Sequence, residues 1–110
     1  CWPGPFTFVL TARAHLPPAV VAATGTVAIR VPRRPTLLTL LAETGPLAST
    51  SANRRGEAAA TSLAEAVARF PGLAAWRDGG SEAAAGASAL VDLLGPEPHV
   101  VRPGPRPLSL

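Results

Sequence analysis

Lysine, methionine and tyrosine are absent from this 110-residue chain, and cysteine occurs once. A single cysteine, Cys1, cannot build an internal disulfide framework, so a reducing setting is expected. His15 and His99 stand without a nearby acid or second ligand in the sequence, which argues against a metal centre or a histidine base. No Gly-x-Ser-x-Gly elbow and no glycine-rich P-loop occurs, so serine hydrolysis and P-loop phosphoryl transfer are disfavoured. Arg, Pro and Gly interrupt every apolar run well short of the roughly 18 residues needed to cross a bilayer. The expectation is a soluble, cytoplasmic protein with no membrane partner.

What is present is one modest core's worth of chain, with 47% hydrophobic residues drawn largely from alanine and other aliphatics. The opening Cys1-Trp2-Pro3-Gly4-Pro5 has neither an initiator methionine nor a signal-peptide pattern, so the numbering is expected to begin inside a larger fold. The net charge is +3, and all ten basic residues are arginine, whose planar fork pairs with phosphate or carboxylate. Such a balance suits a nucleotide or RNA partner, but a solvated Arg-rich surface carries the same charge, and charge alone decides nothing.

Residues 6–12 alternate bulky and small side chains after a Pro-Gly-Pro turn and read as a half-buried strand. Thr26 to Val31 is β-branched at four of its six positions and ends at Pro32, a second strand. Leu37, Leu38, Leu40 and Leu41 have helical spacing, with Pro35 at the start and Gly45 as the stop; this helix is expected to cover a sheet face. Leu47 to Thr50 reads as a short buried strand and Asn53 to Ala60 as loop. Ser62 and Glu65 have capping-box spacing before a helix through about Phe70, which Pro71 and Gly72 stop. Asp78-Gly79-Gly80 is expected to turn, and Ser81 to Ala87 is poor in core-forming side chains. Ala89 to Leu93 and His99 to Arg102 complete the strands, separated by Gly95-Pro96, and the Pro-rich end is expected to fray. Strands alternating with at least two helices give an α/β class, with six short elements on one sheet and no internal repeat.

The run Ser49-Thr50-Ser51-Ala52-Asn53 gathers small hydroxyl and amide side chains at an expected strand end, where a phosphate or carboxylate could be held. The same residues are also turn formers whose side chains bond the local backbone. Arg30 and Arg102 lie in strands, where an arginine can equally be an ordinary surface residue, and Ser88 can simply begin one.

The segments Trp2-Pro3-Gly4-Pro5-Phe6-Thr7, Thr26 to Pro32, Gly45-Pro46-Leu47 with Thr50 to Asn53, Asp78-Gly79-Gly80, Ser88 to Leu93 and Arg102-Pro103-Gly104 follow one another in an order that resembles the YrdC-like family of threonylcarbamoyl-adenylate synthases. The resemblance covers nearly the whole chain and rests on six short motifs together. It implies an α/β fold, a twisted mixed sheet flanked by helices, of which residues 1–110 would be the C-terminal part of a single domain. It implies a nucleotidyltransferase that converts L-threonine, bicarbonate and ATP into threonylcarbamoyl-adenylate and pyrophosphate, the first stage of threonylcarbamoyladenosine formation on tRNA. By the same resemblance Thr26, Ser51, Asn53 and Arg102 would bind ATP, and Arg30, Ser49 and Ser88 would hold threonine. Mg²⁺ would arrive with ATP, held by phosphates and water. The implied partners are tRNA or double-stranded RNA and the downstream threonylcarbamoyltransferase machinery, and no catalytic side chain is assigned.

Three departures from the family pattern stand out. Its Lys-x-Arg signature belongs to an N-terminal half that this lysine-free chain does not contain. A piece without that half is expected to be inactive or very weak alone, and to expose sheet edges and apolar surface. Ala89 stands where threonine is common, which would remove a hydroxyl on the substrate side, and Arg55 stands where serine is common in a loop near the nucleotide. Two other functions fit the same residues: a carbamoyl-adenylate module of a hydrogenase-maturation carbamoyltransferase, and a non-catalytic double-stranded RNA- or tRNA-binding module working through arginine–phosphate contacts.

Overall fold

The structure is a computed structural model that describes residues 1–75 and 86–109. The chain divides into two compact units, one formed by Cys1–Gly45 with Gly86–Leu110 and the other by Pro46–Ala85. The turn expected at Asp78-Gly79-Gly80 lies outside the described residues, as does most of the small-residue stretch after it.

The first unit holds a four-stranded mixed sheet. Strand β1, Phe6–Thr11, alternates Phe6, Phe8 and Leu10 on one face with Thr7, Val9 and Thr11 on the other. It pairs antiparallel with β2, Thr26–Arg30, and parallel with β3, Ala89–Asp92; β4, His99–Arg102, closes the order β2-β1-β3-β4 by pairing antiparallel with β3. The register slips by one between Leu90 and Val91, a bulge that returns Arg102 opposite Leu90. A single 3-10 turn, Pro18–Val20, lies in the β1–β2 connection.

The core is small: Phe6, Ala89 and Val91 are buried, with Val91 fully enclosed, and Phe8 and Leu108 pack against them. Phe6 and Phe8 stack at 6.4 Å between ring centroids, and Trp2 meets Phe8 edge-on at 5.1 Å while its indole N–H donates to the Phe6 carbonyl at 2.9 Å. The Pro-rich end is not simply frayed, since Leu108 reaches this cluster and Gly104 lies against Ala89. Gly104 sits so close that an added Cβ would come 2.8 Å from the Ala89 Cα.

Helix α1, Pro35–Thr44, begins with proline at its first turn, where the missing N–H is no loss, and ends at Gly45, whose φ of 77° suits glycine and whose N–H reaches the Leu41 carbonyl at 3.0 Å. It does not seal a sheet face as expected. None of its residues is buried, and Leu37, Leu38 and Leu40 remain exposed. Helical spacing shows which side chains share a face but says nothing about what lies opposite it.

In the second unit, Leu47 to Thr50 is irregular and exposed rather than a buried strand, with Leu47 at 54% exposure. Four residues of suitable composition do not make a strand without a ladder to join. Helix α2, Leu63–Arg69, starts where the capping box places it, with the Glu65 N–H donating to the Ser62 hydroxyl at 3.2 Å. The reciprocal arm reaches one residue further back: the Glu65 carboxylate accepts from the Thr61 N–H at 2.9 Å and from the Thr61 hydroxyl at 3.1 Å. These bonds, followed by the charge of Arg69, hold the Glu65 carboxyl below its ordinary value of 4.5.

Candidate substrate-binding face

The sheet register alone decides which side chains share the face opposite the core. Arg30 on β2 lies across from Thr7 on β1, Thr7 across from Leu90 on β3, and Leu90 across from Arg102 on β4. Paired residues project to the same side of a sheet, and so do residues two or four apart along a strand. Ser88 precedes Leu90 by two and Thr26 precedes Arg30 by four, so Thr26, Arg30, Thr7, Ser88 and Arg102 occupy one face. The other face carries Phe6, Phe8, Ala89 and Val91. Four of the seven residues singled out in the sequence are therefore brought together on a polar surface backed by the core.

Hydrogen bonds fix this surface. The Ser88 and Thr7 hydroxyls lie 2.7 Å apart, although 81 residues separate them in the chain. Ser88 is only 9% exposed, so its hydroxyl has little water to bond with and Thr7 supplies the partner. The Ser88 carbonyl accepts from Arg102 twice, from Nε at 3.3 Å and from Nη2 at 3.0 Å, and this pair of hydrogen bonds orients the guanidinium plane. Arg30 is tethered in the same manner, its Nε donating to the Gly4 carbonyl at 3.2 Å, while the Gly4 N–H donates to the Val31 carbonyl at 2.9 Å. Among the described residues, Arg102 Nη1 and both Nη atoms of Arg30 make no hydrogen bond. Three strand spacings separate the two arginines, about 14 Å at Cα. Between them sits the Thr7–Ser88 pair. Thr26, near the far end of β2, is half-buried and its hydroxyl lies 2.8 Å from that of Thr24.

Chemically, the face offers two cationic forks with unused donors and, between them, a hydroxyl pair whose donor direction can reverse. That set suits a ligand with anionic groups at its ends and a hydroxyl or amine in the middle. Among the described residues no three His, Cys, Asp or Glu side chains converge as a metal site.

Ser49, Ser51 and Asn53 belong to the second unit. There the Asn53 side chain organises a loop: its amide N–H₂ donates to the Arg54 and Glu57 carbonyls, each at 3.0 Å, and its amide oxygen accepts from the Ser51 hydroxyl. The Ala60 N–H closes the loop on the Ser51 carbonyl at 3.2 Å, and Ala52 takes a φ of 50° between them. Ser51 and Asn53 thus act on the local backbone, the turn-forming alternative that the sequence left open. Ser49 is exposed in an irregular stretch, and Arg55 is exposed on the same loop.

Two sequence readings change here. Ala89 does not face the substrate side; it is 2% exposed in the core, because strand alternation turns it away from Ser88 and Leu90. A threonine there would not add a hydroxyl to the polar face. His99 does have an acid nearby, since the register sets it opposite Asp92, although an Asp92 carboxylate oxygen already accepts from the Leu94 N–H at 2.7 Å. Thr7 is the residue whose role the sequence did not assign. Its position between Phe6 and Phe8 marks it as facing away from the core, but its partner became visible only with the parallel β1–β3 pairing.

Comparison with known proteins bears on the family and the fold. Residues 1–104 match the Sua5/YciO/YrdC family model, described as telomere recombination. A Mycobacterium tuberculosis relative is 35% identical over 105 residues, which cover 94% of this chain and 48% of that protein. The threonylcarbamoyl-AMP synthase of Stutzerimonas stutzeri is 43% identical over 70 residues, 64% of this chain and 38% of that protein. The threonylcarbamoyl-AMP synthase of Pyrococcus abyssi is 34% identical over 110 residues, 98% of this chain and 32% of that protein. The crystal structure of P. abyssi Sua5 complexed with L-threonine superposes with a TM-score of 0.81 at 33% identity, covering 94% of this chain and 31% of that one. The chain thus spans about half the length of the first of these relatives and about a third of the last. With the mixed sheet, the matched residues and this structural likeness in agreement, the chain belongs to the Sua5/YciO/YrdC family.

Proposed function

We propose that residues 1–110 are the C-terminal part of a single YrdC-like domain and supply one wall of a threonylcarbamoyl-AMP synthase site. The observation that carries this reading is the shared face of Thr26, Arg30, Ser88 and Arg102, with Arg30 and Arg102 each anchored through part of its guanidinium and open at the rest. In this reading L-threonine lies beside Ser88 with Arg30 pairing its carboxylate, and Arg102 takes a phosphate of ATP. Thr26 is assigned to the nucleotide, and the family resemblance assigns Ser51 and Asn53 to the nucleotide and Ser49 to threonine.

The reaction needs a carbamate, formed on the threonine nitrogen from bicarbonate, to attack the α-phosphate and expel pyrophosphate. Two anions must therefore be brought together against their mutual repulsion, and charge develops on the phosphoryl oxygens and the leaving group. Fixed guanidinium groups answer both needs without reorganising during the step. Because Arg102 is held by the carbonyl of Ser88, the phosphate-facing cation and the threonine-facing hydroxyl belong to one rigid unit. Mg²⁺ enters as part of the ATP substrate. The part of the relatives' length that this chain does not span would carry the family's Lys-x-Arg pair, so the chain alone is expected to be inactive or very weak. The product would pass to tRNA-modifying machinery, a cytoplasmic role compatible with the absence, among the described residues, of any helix long and apolar enough to cross a membrane.

The test is pyrophosphate release from ATP by the intact protein, measured with and without L-threonine and bicarbonate. Release should require both, and Arg30→Ala or Arg102→Ala should lower it about 10- to 100-fold, the range for losing a charge-assisted contact. Release that is indifferent to L-threonine would overturn the reading.

A further inference from the structure

We propose that Thr7 is a positioning residue that orients the Ser88 hydroxyl and thereby makes the site selective for an amino acid bearing a β-hydroxyl. The proposal rests on the threonine-binding reading of Ser88 given above. Its own basis is the 2.7 Å contact between two hydroxyls, one of them nearly buried, at the point where β1 and β3 run side by side.

A serine hydroxyl free to rotate offers its proton in any of three staggered directions. Thr7 removes that freedom, because a β-branched side chain has a restricted χ1 and its own backbone is locked in the sheet between Arg30 and Leu90. Once one hydroxyl donates to the other, the pair has one remaining O–H and unused lone pairs. A third hydroxyl can then join as donor or acceptor and complete a chain of three. A ligand lacking that hydroxyl would leave the pair's outward proton or lone pair without this partner beside a serine that is only 9% exposed, which discriminates against the analogue. The Ser88 carbonyl is engaged separately by Arg102, so losing Thr7 should disturb the hydroxyl without releasing the guanidinium.

The experiment measures binding of L-threonine and of L-2-aminobutyrate, its counterpart lacking the hydroxyl, by calorimetry on the intact protein and its Thr7→Val and Thr7→Ser variants. Valine is nearly isosteric with threonine, so the shape of β1 at this position is kept. Thr7→Val should weaken L-threonine about tenfold, the loss expected for one hydrogen bond. Affinity for L-2-aminobutyrate should stay unchanged, and Thr7→Ser, which keeps the hydroxyl but not the restricted χ1, should restore part of that for L-threonine. Equal loss for both ligands, or no loss for either, would overturn the proposal. A second measurement does not depend on threonine binding at all. In a crystal structure of Thr7→Val without ligand, Ser88 should spread over more than one rotamer, whereas a single unchanged rotamer would overturn the positioning role. If the unsubstituted protein binds no L-threonine, the functional reading falls and the Ser88 rotamer alone decides whether Thr7 positions it.

Discussion

Replacing Gly104 by alanine tests how tightly the entrance to β3 is built. Gly104 does not have a left-handed φ, so alanine meets no backbone penalty there and the outcome depends on space. Space is lacking: the new methyl would come 2.8 Å from the Ala89 Cα and 2.9 Å from its Cβ, and backbone cannot swing aside as a flexible side chain can. Two effects of opposite sign compete. Alanine narrows the unfolded ensemble and so stabilises by about 0.4–1 kcal/mol, while overpacking against fixed backbone costs about 1–3 kcal/mol. The clash should win, because the atom nearest the new methyl is the Ala89 backbone nitrogen, whose N–H bond to the Pro5 carbonyl at 2.9 Å resists its retreat. A net loss of about 1–2 kcal/mol is expected, which for a chain of this size lowers the midpoint of thermal unfolding by roughly 5–15 °C. Urea denaturation followed by circular dichroism measures it. Because Ser88 adjoins Ala89, L-threonine affinity should fall in the same variant. A Gly104→Ala protein as stable as the original, or more stable, would refute the close packing of the C-terminal segment on β3.

The remaining predictions address the core, the loop and the helix cap. Val91→Ala removes two methyl groups from a side chain with no exposure and should cost about 2–3 kcal/mol in urea denaturation, whereas Leu73→Ala, at 69% exposure, should change stability by less than about 0.5 kcal/mol. Asn53→Ala deletes the side chain that bonds the Arg54 and Glu57 carbonyls and should speed hydrogen exchange at the Glu57 and Ala60 amides about tenfold; unchanged exchange would contradict the loop geometry. The folded state holds the Glu65 carboxyl below 4.5, so its contribution to α2 should be complete above about that pH and fade as pH falls through the lowered value. Carbon-13 shifts across Leu63–Arg69 should report that loss on acidification, and Glu65→Gln should abolish the pH dependence.

The sheet was legible because its strands announce themselves locally. Phe6-Thr7-Phe8 alternates, Thr26 to Arg30 is mostly β-branched, and Ala89 to Asp92 with His99 to Arg102 are bounded by turn residues. Helix α1 was legible from its leucine spacing and from Pro35 and Gly45 at its ends. What failed was whatever depends on a partner. Leu47 to Thr50 has strand-like composition without a ladder, and α1 has an apolar stripe without a buried residue. The candidate site divides in the same way. Family resemblance supplied Thr26, Arg30, Ser88 and Arg102 one by one, but their common face follows from register, which no single segment encodes. The Thr7–Ser88 bond joins residues 81 apart and had no sequence signal beyond the polar gap between two phenylalanines. Ala89 was misread for the same reason: neighbours in sequence on a strand face opposite ways.

The most direct test of the central claim is a crystal structure of the intact protein grown with L-threonine. The account predicts the amino acid on the polar face of the sheet, its carboxylate within hydrogen-bond reach of Arg30 and its hydroxyl against the Thr7–Ser88 pair. L-threonine bound elsewhere, or a polar face left empty at saturating concentration, would contradict it.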